Sequence, residues 1–467
     1  MQRYWCDQMN KNLVQLVSLK IQKTWLLLIA FCLSCFSFTA NAGTPPTYPI
    51  TTFVELCDDI NSPENTEFQR FGNIFKGNQG WLISENLDLQ IDHKALKQQE
   101  KHTLKRFAKL LKKRGIDLVI LPIPPRGLVY QEQLQEVVAD FDAKTLNSKF
   151  KELLQDIQPL GQVIDTFKLS VPPNNLFYKS SADWTPSGTK WFAEKTANLI
   201  SYQGGKKSSL HAAVDNGQVS AGGAIRSYVA SICGYALEPE YAAGLTIDNQ
   251  AKQHQSTHKI ALLGDRLAKQ DKFQFANMLS VATSLDVVNY ASTESSKRWG
   301  WLQLIDDIAS QKVDVDTIVW QFQASKGLAT NSLFRQLIPA LNQGCAVDAT
   351  ATKSTFNIDL NASSTEVLVA KNAAGLSSTN MIAELTFKKF PVQSVALKLW
   401  FDNGSNRKVT LSKAFSRKGN ALFYIDFASF NVPNNAKLLA LEVDRVKLAS
   451  GSGADTVNVG LKLCSGE

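Results

Sequence analysis

Between residues 94 and 322 the chain alternates between helical and extended patterning, and that alternation leaves few folds open. Leu96, Leu104, Phe107, Leu110 and Leu111 recur at helical spacing before Arg114-Gly115 offers a stop. Ile116–Leu121 follows as a short β run, halted by Pro122, Pro124 and Pro125. A helix near 143–157 leads to a strand at Gln162–Phe167. Thr185-Pro186, an N-cap residue followed by proline at the first helical position, opens a helix through Ile200. Strand Lys259–Gly264, helix Asp271–Ala282, strand Leu285–Tyr290, helix Ser296–Ile308 and strand Asp316–Phe322 complete the series. Strands separated by helices of roughly 10–15 residues predict an α/β unit, a parallel sheet covered on both faces. Ligands in such folds sit beyond the carboxyl ends of the strands. Pro124-Pro125-Arg126-Gly127, Gly264-Asp265-Arg266 and Asn289-Tyr290-Ala291 all stand there. Residues 203–256, rich in Gly, Ala and Ser, read as an insertion or lid.

After Cys345 the texture changes. Phe356–Leu360, Glu366–Ala370, Ser394–Phe401, Val409–Lys413, Leu422–Phe427, Lys437–Val443 and Val457–Leu463 are short runs separated by Asn, Gly, Ser and Asp, which predicts an all-β sandwich. In Ser394–Phe401, strand parity puts Val395, Leu397, Leu399 and Phe401 on one face. Lys398 and Trp400 then share the other. An aromatic plane beside a cation suits a uronate sugar, through C–H stacking and carboxylate pairing. The turn Asp402-Asn403-Gly404 brings Arg407 and Lys408 nearby. The competing reading packs Trp400 against a domain interface.

The amino-terminal segment looks like an export signal. Lys20 and Lys23 precede the uncharged run Trp25–Phe38, and Ala40-Asn41-Ala42 places small residues where signal peptidase needs them. The run is short for a membrane span, which takes about 20 residues. Removal of residues 1–42 leaves Cys57, Cys233, Cys345 and Cys464, an even number in an exported chain, and so two disulfides with three connectivities open. The first pair flanks the α/β region and the second flanks the tail, which favours one staple in each. The leader holds four basic residues and one acidic, so a chain of formal charge +8 keeps about +5. That excess is compatible with an anionic polymer or a membrane surface. No basic run interleaved with aromatics supports nucleic acid. His254 and His258 have the spacing of a zinc pair, but no acid stands between them and no third ligand is apparent, so neither metal nor cofactor is expected.

Several stretches together resemble the alginate O-acetyltransferase family of periplasmic alginate biosynthesis proteins. They are Phe75-Lys76-Gly77-Asn78-Gln79-Gly80-Trp81-Leu82, Pro122-Ile123-Pro124-Pro125-Arg126-Gly127-Leu128, Trp184-Thr185-Pro186, Leu263-Gly264, the β-rich tail and the four cysteines. The resemblance implies an SGNH-hydrolase-like parallel-sheet domain over 43–344 and a carbohydrate-binding β-sandwich module over 345–467. It also implies disulfides Cys57–Cys233 and Cys345–Cys464, and a Trp-plus-basic sugar site.

Ile260–Arg266 reads as a buried strand entering the turn where a GDS-type hydrolase carries its serine. Acyl transfer needs a nucleophile, a base, an orienting carboxylate and oxyanion donors. The family's serine falls on Arg266, its histidine on Asp183 and its aspartate on Ser181. Its glycine-rich turn after Asn289 is replaced by Ala291-Ser292-Thr293-Glu294. Arginine serves as neither nucleophile nor base at neutral pH. The reading is a pseudoenzyme that binds an anionic exopolysaccharide and works beside export and acetylation proteins in the periplasm. Its candidate binding residues are Lys398, Trp400, Arg407 and Arg126. The alternative is an active polysaccharide O-acetyltransferase using Ser180 or Ser181 with His254 or His258. Arg266 has two readings of its own: with Arg126 it holds a carboxylate, or it pairs with Asp183 or Asp265 and fills the dead site.

Overall fold

A computed structural model describes residues 47–48, 56–138, 140–166, 175–200, 212–221, 223–247, 258–293, 298–326, 331–345, 351–361, 364–368, 381–388, 392–412, 415–417, 420–430, 436–448 and 454–466. The amino-terminal segment read as an export signal and His254 lie outside these residues. Five parallel strands make the front sheet: β1 (Asp117–Ile123), β2 (Gln162–Val163), β3 (Lys259–Leu263), β4 (Asp286–Asn289) and β5 (Thr317–Gln323). Their order is β4-β3-β5-β1-β2.

The three inner strands β3, β5 and β1 are buried on both sides because helices cover both faces. In β1, Leu118 and Ile120 enter one core while Val119, Leu121 and Ile123 enter the other; in β3, Ala261 and Leu263 are opposed to Ile260 and Leu262. The first face is covered by α1 (Gln98–Lys113), α2 (Ala143–Ile157), α6 (Arg298–Ala309) and α7 (Asn331–Leu341). The second is covered by α3 (Pro186–Leu199) and α5 (Phe275–Thr283). The helix expected from Asp271 begins at Phe275 instead, because Gln274 adopts a left-handed φ of 52° and closes a separate turn before it. Within 203–256, Ala212–Ser220 pairs antiparallel with Tyr241–Ile247, and α4 (Ala224–Cys233) lies between them. Cys233, at the end of α4, is disulfide-bonded to Cys57.

The tail is a two-sheet sandwich. Its strands are β6 (Thr352–Asp359), β7 (Thr365–Leu368), β8 (Met381–Phe387), β9 (Val392–Phe401), β10 (Asn406–Ser412), β11 (Phe415–Arg417), β12 (Asn420–Asp426), β13 (Leu438–Leu448) and β14 (Thr456–Ser465). One sheet runs β6-β14-β8-β12-β11 and the other β7-β13-β9-β10, with a shared apolar core between them. Cys345 and Cys464 are joined. Two of these strands were not expected from the sequence. The three-residue β11 is too short to show a period. β8 does alternate, with Glu384 and Thr386 between the core residues Ala383, Leu385 and Phe387, and was missed although that signal was present.

The first sheet docks on the α/β part. Ala421, Phe423 and Ile425 of β12 fill the sandwich core, while Leu422 and Tyr424 join the core under α1, α6 and α7. At the end of the same strand Asp426 takes two hydrogen bonds from Arg106, at 2.8 and 3.2 Å. Burial pushes the Asp426 pKa up and the Arg106 charge pulls it partly back. Arg335 of α7 stands 4.0 Å over the Phe430 ring and donates to Ser429 Oγ at 3.1 Å. The residues that join the α/β core come from this first sheet, whereas Trp400 lies on the second. Among the described residues no helix is long and apolar enough to cross a membrane.

Candidate functional site

β3 is followed by Gly264, and the turn needs a glycine there: a Cβ would come within 2.5 Å of Gln321 Oε1 and 2.6 Å of Ala268 Cβ. Gln321 Oε1 accepts the Asp265 N–H at 3.0 Å, and the Asp265 carboxylate accepts the Leu267 N–H at 2.9 Å. This turn presents Arg266 beyond the carboxyl end of the sheet.

The facing loop is fixed just as firmly. Thr185 Oγ1 caps α3 by accepting the Gly188 N–H at 3.0 Å. Trp184 is wholly buried against Phe192 and Phe275, with centroids 4.9 and 5.0 Å away. Anchored by that indole, Asp183 is 0% exposed and aims its carboxylate at the β3 turn. Arg266 meets it with both terminal nitrogens, Nη1 to Oδ2 at 3.0 Å and Nη2 to Oδ1. Lys272 Nζ stands 3.7 Å from Oδ2. Burial works against the Arg266 charge, but Asp183 outweighs it and the guanidinium pKa rises. For Lys272 burial wins over Asp183, and its pKa falls. Of the two readings of Arg266, the geometry shows the pair with Asp183.

Neither serine is poised to attack. Ser181 Oγ accepts the N–H of Asp183 at 3.2 Å, folding back on its own loop. Ser180 donates its hydroxyl to Glu240 at 2.9 Å, and the same carboxylate accepts the N–H of Ser180 at 2.8 Å and of Lys179 at 3.1 Å. His258 precedes β3 and pairs with Asp316 at 2.9 Å. It lies at the amino end of a five-residue strand, about 17 Å from the turn at the other end, and cannot serve these hydroxyls. His93 is committed to Asp156 at 3.0 Å. The oxyanion donors are also spent: Tyr290 N–H goes to Leu262 O at 2.8 Å, Ala291 N–H to Asn289 Oδ1 at 2.9 Å and Ser292 N–H to Gly264 O at 3.0 Å.

Arg126 is not a surface residue. It is 1% exposed, paired with Asp88 through Nε at 2.7 Å and Nη2 at 2.5 Å, and it donates to the carbonyls of Leu82, Tyr178 and Lys179. A guanidinium so enclosed by a carboxylate and three carbonyls is out of a polymer's reach, so Arg126 leaves the candidate binding set. It braces from below the loop that carries Ser181 and Asp183. Asp88 and Glu240, which hold this loop from two sides, were not singled out from the sequence. Glu240 fell inside the Gly/Ala/Ser-rich insertion, and Asp88 lies 38 residues from its partner in a turn without periodicity.

On the outer sheet, parity holds. Val395, Leu397, Leu399 and Phe401 are buried, whereas Lys398 and Trp400 are half-buried on the opposite face. Lys398 Nζ lies 3.7 Å from the Trp400 ring centroid, so cation and indole form one unit. Register corrects one member of the set. Arg407 pairs with Leu399, which places it on the core side at the rim, while Lys408 pairs with Lys398 and Asn406 with Trp400. Lys408 is the cation that shares the indole's face. On the other side Glu442 opposes Lys398, and the small Ala440 opposes Trp400.

A parallel sheet covered on both faces, with a close glycine turn ending an inner strand opposite a Trp-Thr-Pro helix start, defines an SGNH-hydrolase-like protein. Residues 74–324 match the family described as an SGNH hydrolase-like domain, acetyltransferase AlgX, and the chain belongs to it. The alginate biosynthesis protein AlgX of Pseudomonas fluorescens is 22% identical over 450 residues, 90% of each chain. AlgX of Azotobacter vinelandii is 23% identical over 451 residues, covering 90% of this chain and 89% of its own. The solved structure of Pseudomonas aeruginosa AlgX has a TM-score of 0.71 at 19% identity, covering 88% of this chain and 100% of that one, a likeness of fold.

Proposed function

We propose that this chain is a periplasmic component of alginate biosynthesis that holds an alginate-like uronate polymer and does not transfer acetyl groups to it. The observation that carries the reading is the two-pronged ion pair between Asp183 and Arg266. It fills with opposite charges the two positions that would otherwise hold a base and a nucleophile. With Ser181 turned inward and the backbone donors after β4 spent, the cleft offers no described route to a tetrahedral intermediate. Polymer recognition then falls to the outer sheet of the sandwich, where the Trp400 ring stacks on a sugar face while Lys398 and Lys408 meet its carboxylates. The division into a front domain over 43–344 and a sugar-binding module over 345–467, export by the leader, and work beside export and acetylation proteins belong to the same proposal. Two disulfides support an oxidising compartment.

Two measurements test it. Hydrolysis of p-nitrophenyl acetate should be no faster than for Ser181→Ala; activity well above that variant would restore the acetyltransferase reading. Titration with mannuronate oligomers should show Trp400→Ala binding more weakly than wild type, and equal affinities would remove the sugar site from the outer sheet.

A further inference from the structure

The positive charge of this chain is concentrated on one helix, α1, and the residues that flank it. From Lys94 to Arg114 there are nine basic residues against Glu100 alone, a net of +8 that equals the formal charge of the whole chain. With the leader contributing a further +3, everything else sums to about −3.

The helix sorts these charges by direction. At 3.6 residues per turn, Lys101, His102, Lys105, Lys109, Lys112 and Lys113 of α1 fall within an arc of about 120°. All but Lys101 are exposed along that arc. The opposite side buries Leu104, Phe107 and Leu111. Two cations are drawn inward: Arg106 to Asp426, and Lys101 to Asp156 at 2.7 Å. Lys105, Lys109 and Lys112 remain as a straight row of exposed ammonium groups, one per turn, on a 16-residue helix about 24 Å long. Like charges three and four apart oppose helix formation, so packing of the buried face holds the row in place.

We infer that α1 is a second, purely electrostatic track for the uronate polymer, an inference that rests on the polymer-binding reading above. Lysines are flexible point charges rather than planar forks, which suits repeated carboxylates along a sliding chain better than one fixed sugar. A membrane surface fits less well. The exposed arc carries no apolar side chain to enter the acyl boundary, which interfacial helices require.

The test is the full-length triple variant Lys105→Gln/Lys109→Gln/Lys112→Gln, compared with wild type and Trp400→Ala. Glutamine keeps the helix propensity of lysine, and the sites are exposed, so circular dichroism should be unchanged. For a long polymannuronate the triple variant should bind about tenfold more weakly, with a shallower dependence on salt, because fewer counterions are released. Its affinity for a short oligomer should be unchanged, whereas Trp400→Ala weakens both. Equal affinity and equal salt slope for the long polymer would overturn the track. So would loss of adsorption to phosphatidylglycerol vesicles with polymer affinity intact. Wild type silent toward both lengths sinks the polymer reading itself; normal oligomer binding with an unaffected triple variant sinks the track alone.

Discussion

The front cleft and the outer sheet of the sandwich use charge in opposite ways. In the cleft, Asp183 is fully buried and Arg266 and Lys272 converge on it, so the cations are spent within the protein. On the sheet, Lys398 covers an indole rather than a carboxylate, and the neighbouring strand adds Lys408 to the same face. Cations neutralised inside a fold are out of a ligand's reach; cations beside a half-buried aromatic at the surface remain within it. On the function proposed above, the difference would separate the remnant of a reaction site from a recognition surface, although both are built of one carboxylate-seeking chemistry.

The largest expected effect breaks the cleft. Arg266→Ala leaves a buried carboxylate without its main partner and should cost about 3 kcal/mol of stability, read as a lower denaturation midpoint. Asp183→Asn/Arg266→Ala should recover most of that loss, because the amide carries no charge to strand. If the single variant is as stable as wild type, the pair is not structural. Next in size, Trp400→Ala should lower uronate affinity about tenfold, or ~1.4 kcal/mol, by titration calorimetry, with the fold intact.

Rebuilding the cleft makes a third test. Ser181→Asp/Asp183→His/Arg266→Ser restores the residue types of a triad on a frame that still holds the glycine turn and the Trp-Thr-Pro helix start. A rise of about tenfold in p-nitrophenyl acetate hydrolysis is expected, held below that of a complete site because the oxyanion donors remain committed. No rise at all would show that the surviving frame no longer aligns the three positions. On the sheet, Lys408→Gln should weaken binding more than Arg407→Gln; the reverse order would refute the register argument.

The smallest effect is a pH dependence. Asp426 has a folded-state pKa above its ordinary value of 3.8. The native state therefore binds that proton more tightly, and this contribution is present at low pH and lost as pH rises through the raised value. Urea midpoints of wild type should show that loss, and Asp426→Asn should flatten it.

Some of this was legible from sequence for physical reasons that can be named. Strand β3 is a run of apolar residues ending in Gly-Asp-Arg, so Arg266 could be placed at a carboxyl end before any coordinates. Trp400 could be assigned to an outer face because four aliphatic and aromatic residues alternate with it. Arg407 and Lys408 could not be told apart, because their sides depend on how the Asp402–Ser405 turn sets the register of β10. Arg126 looked like a surface cation at a loop because its counter-charge lies in a distant turn. Position in a chain reveals periodicity well and partnership poorly.

Strand β12 belongs to two cores at once, and this has a practical consequence for anyone dissecting the protein. Severing the chain near residue 345 would uncover Leu422 and Tyr424 and deprive Asp426 of Arg106 in one stroke. An isolated rear fragment would present a greasy, mispaired wall where the intact protein has an interior seam. Such a fragment is expected to clump, and sugar measurements made on it would report the wound rather than the proposed binding face.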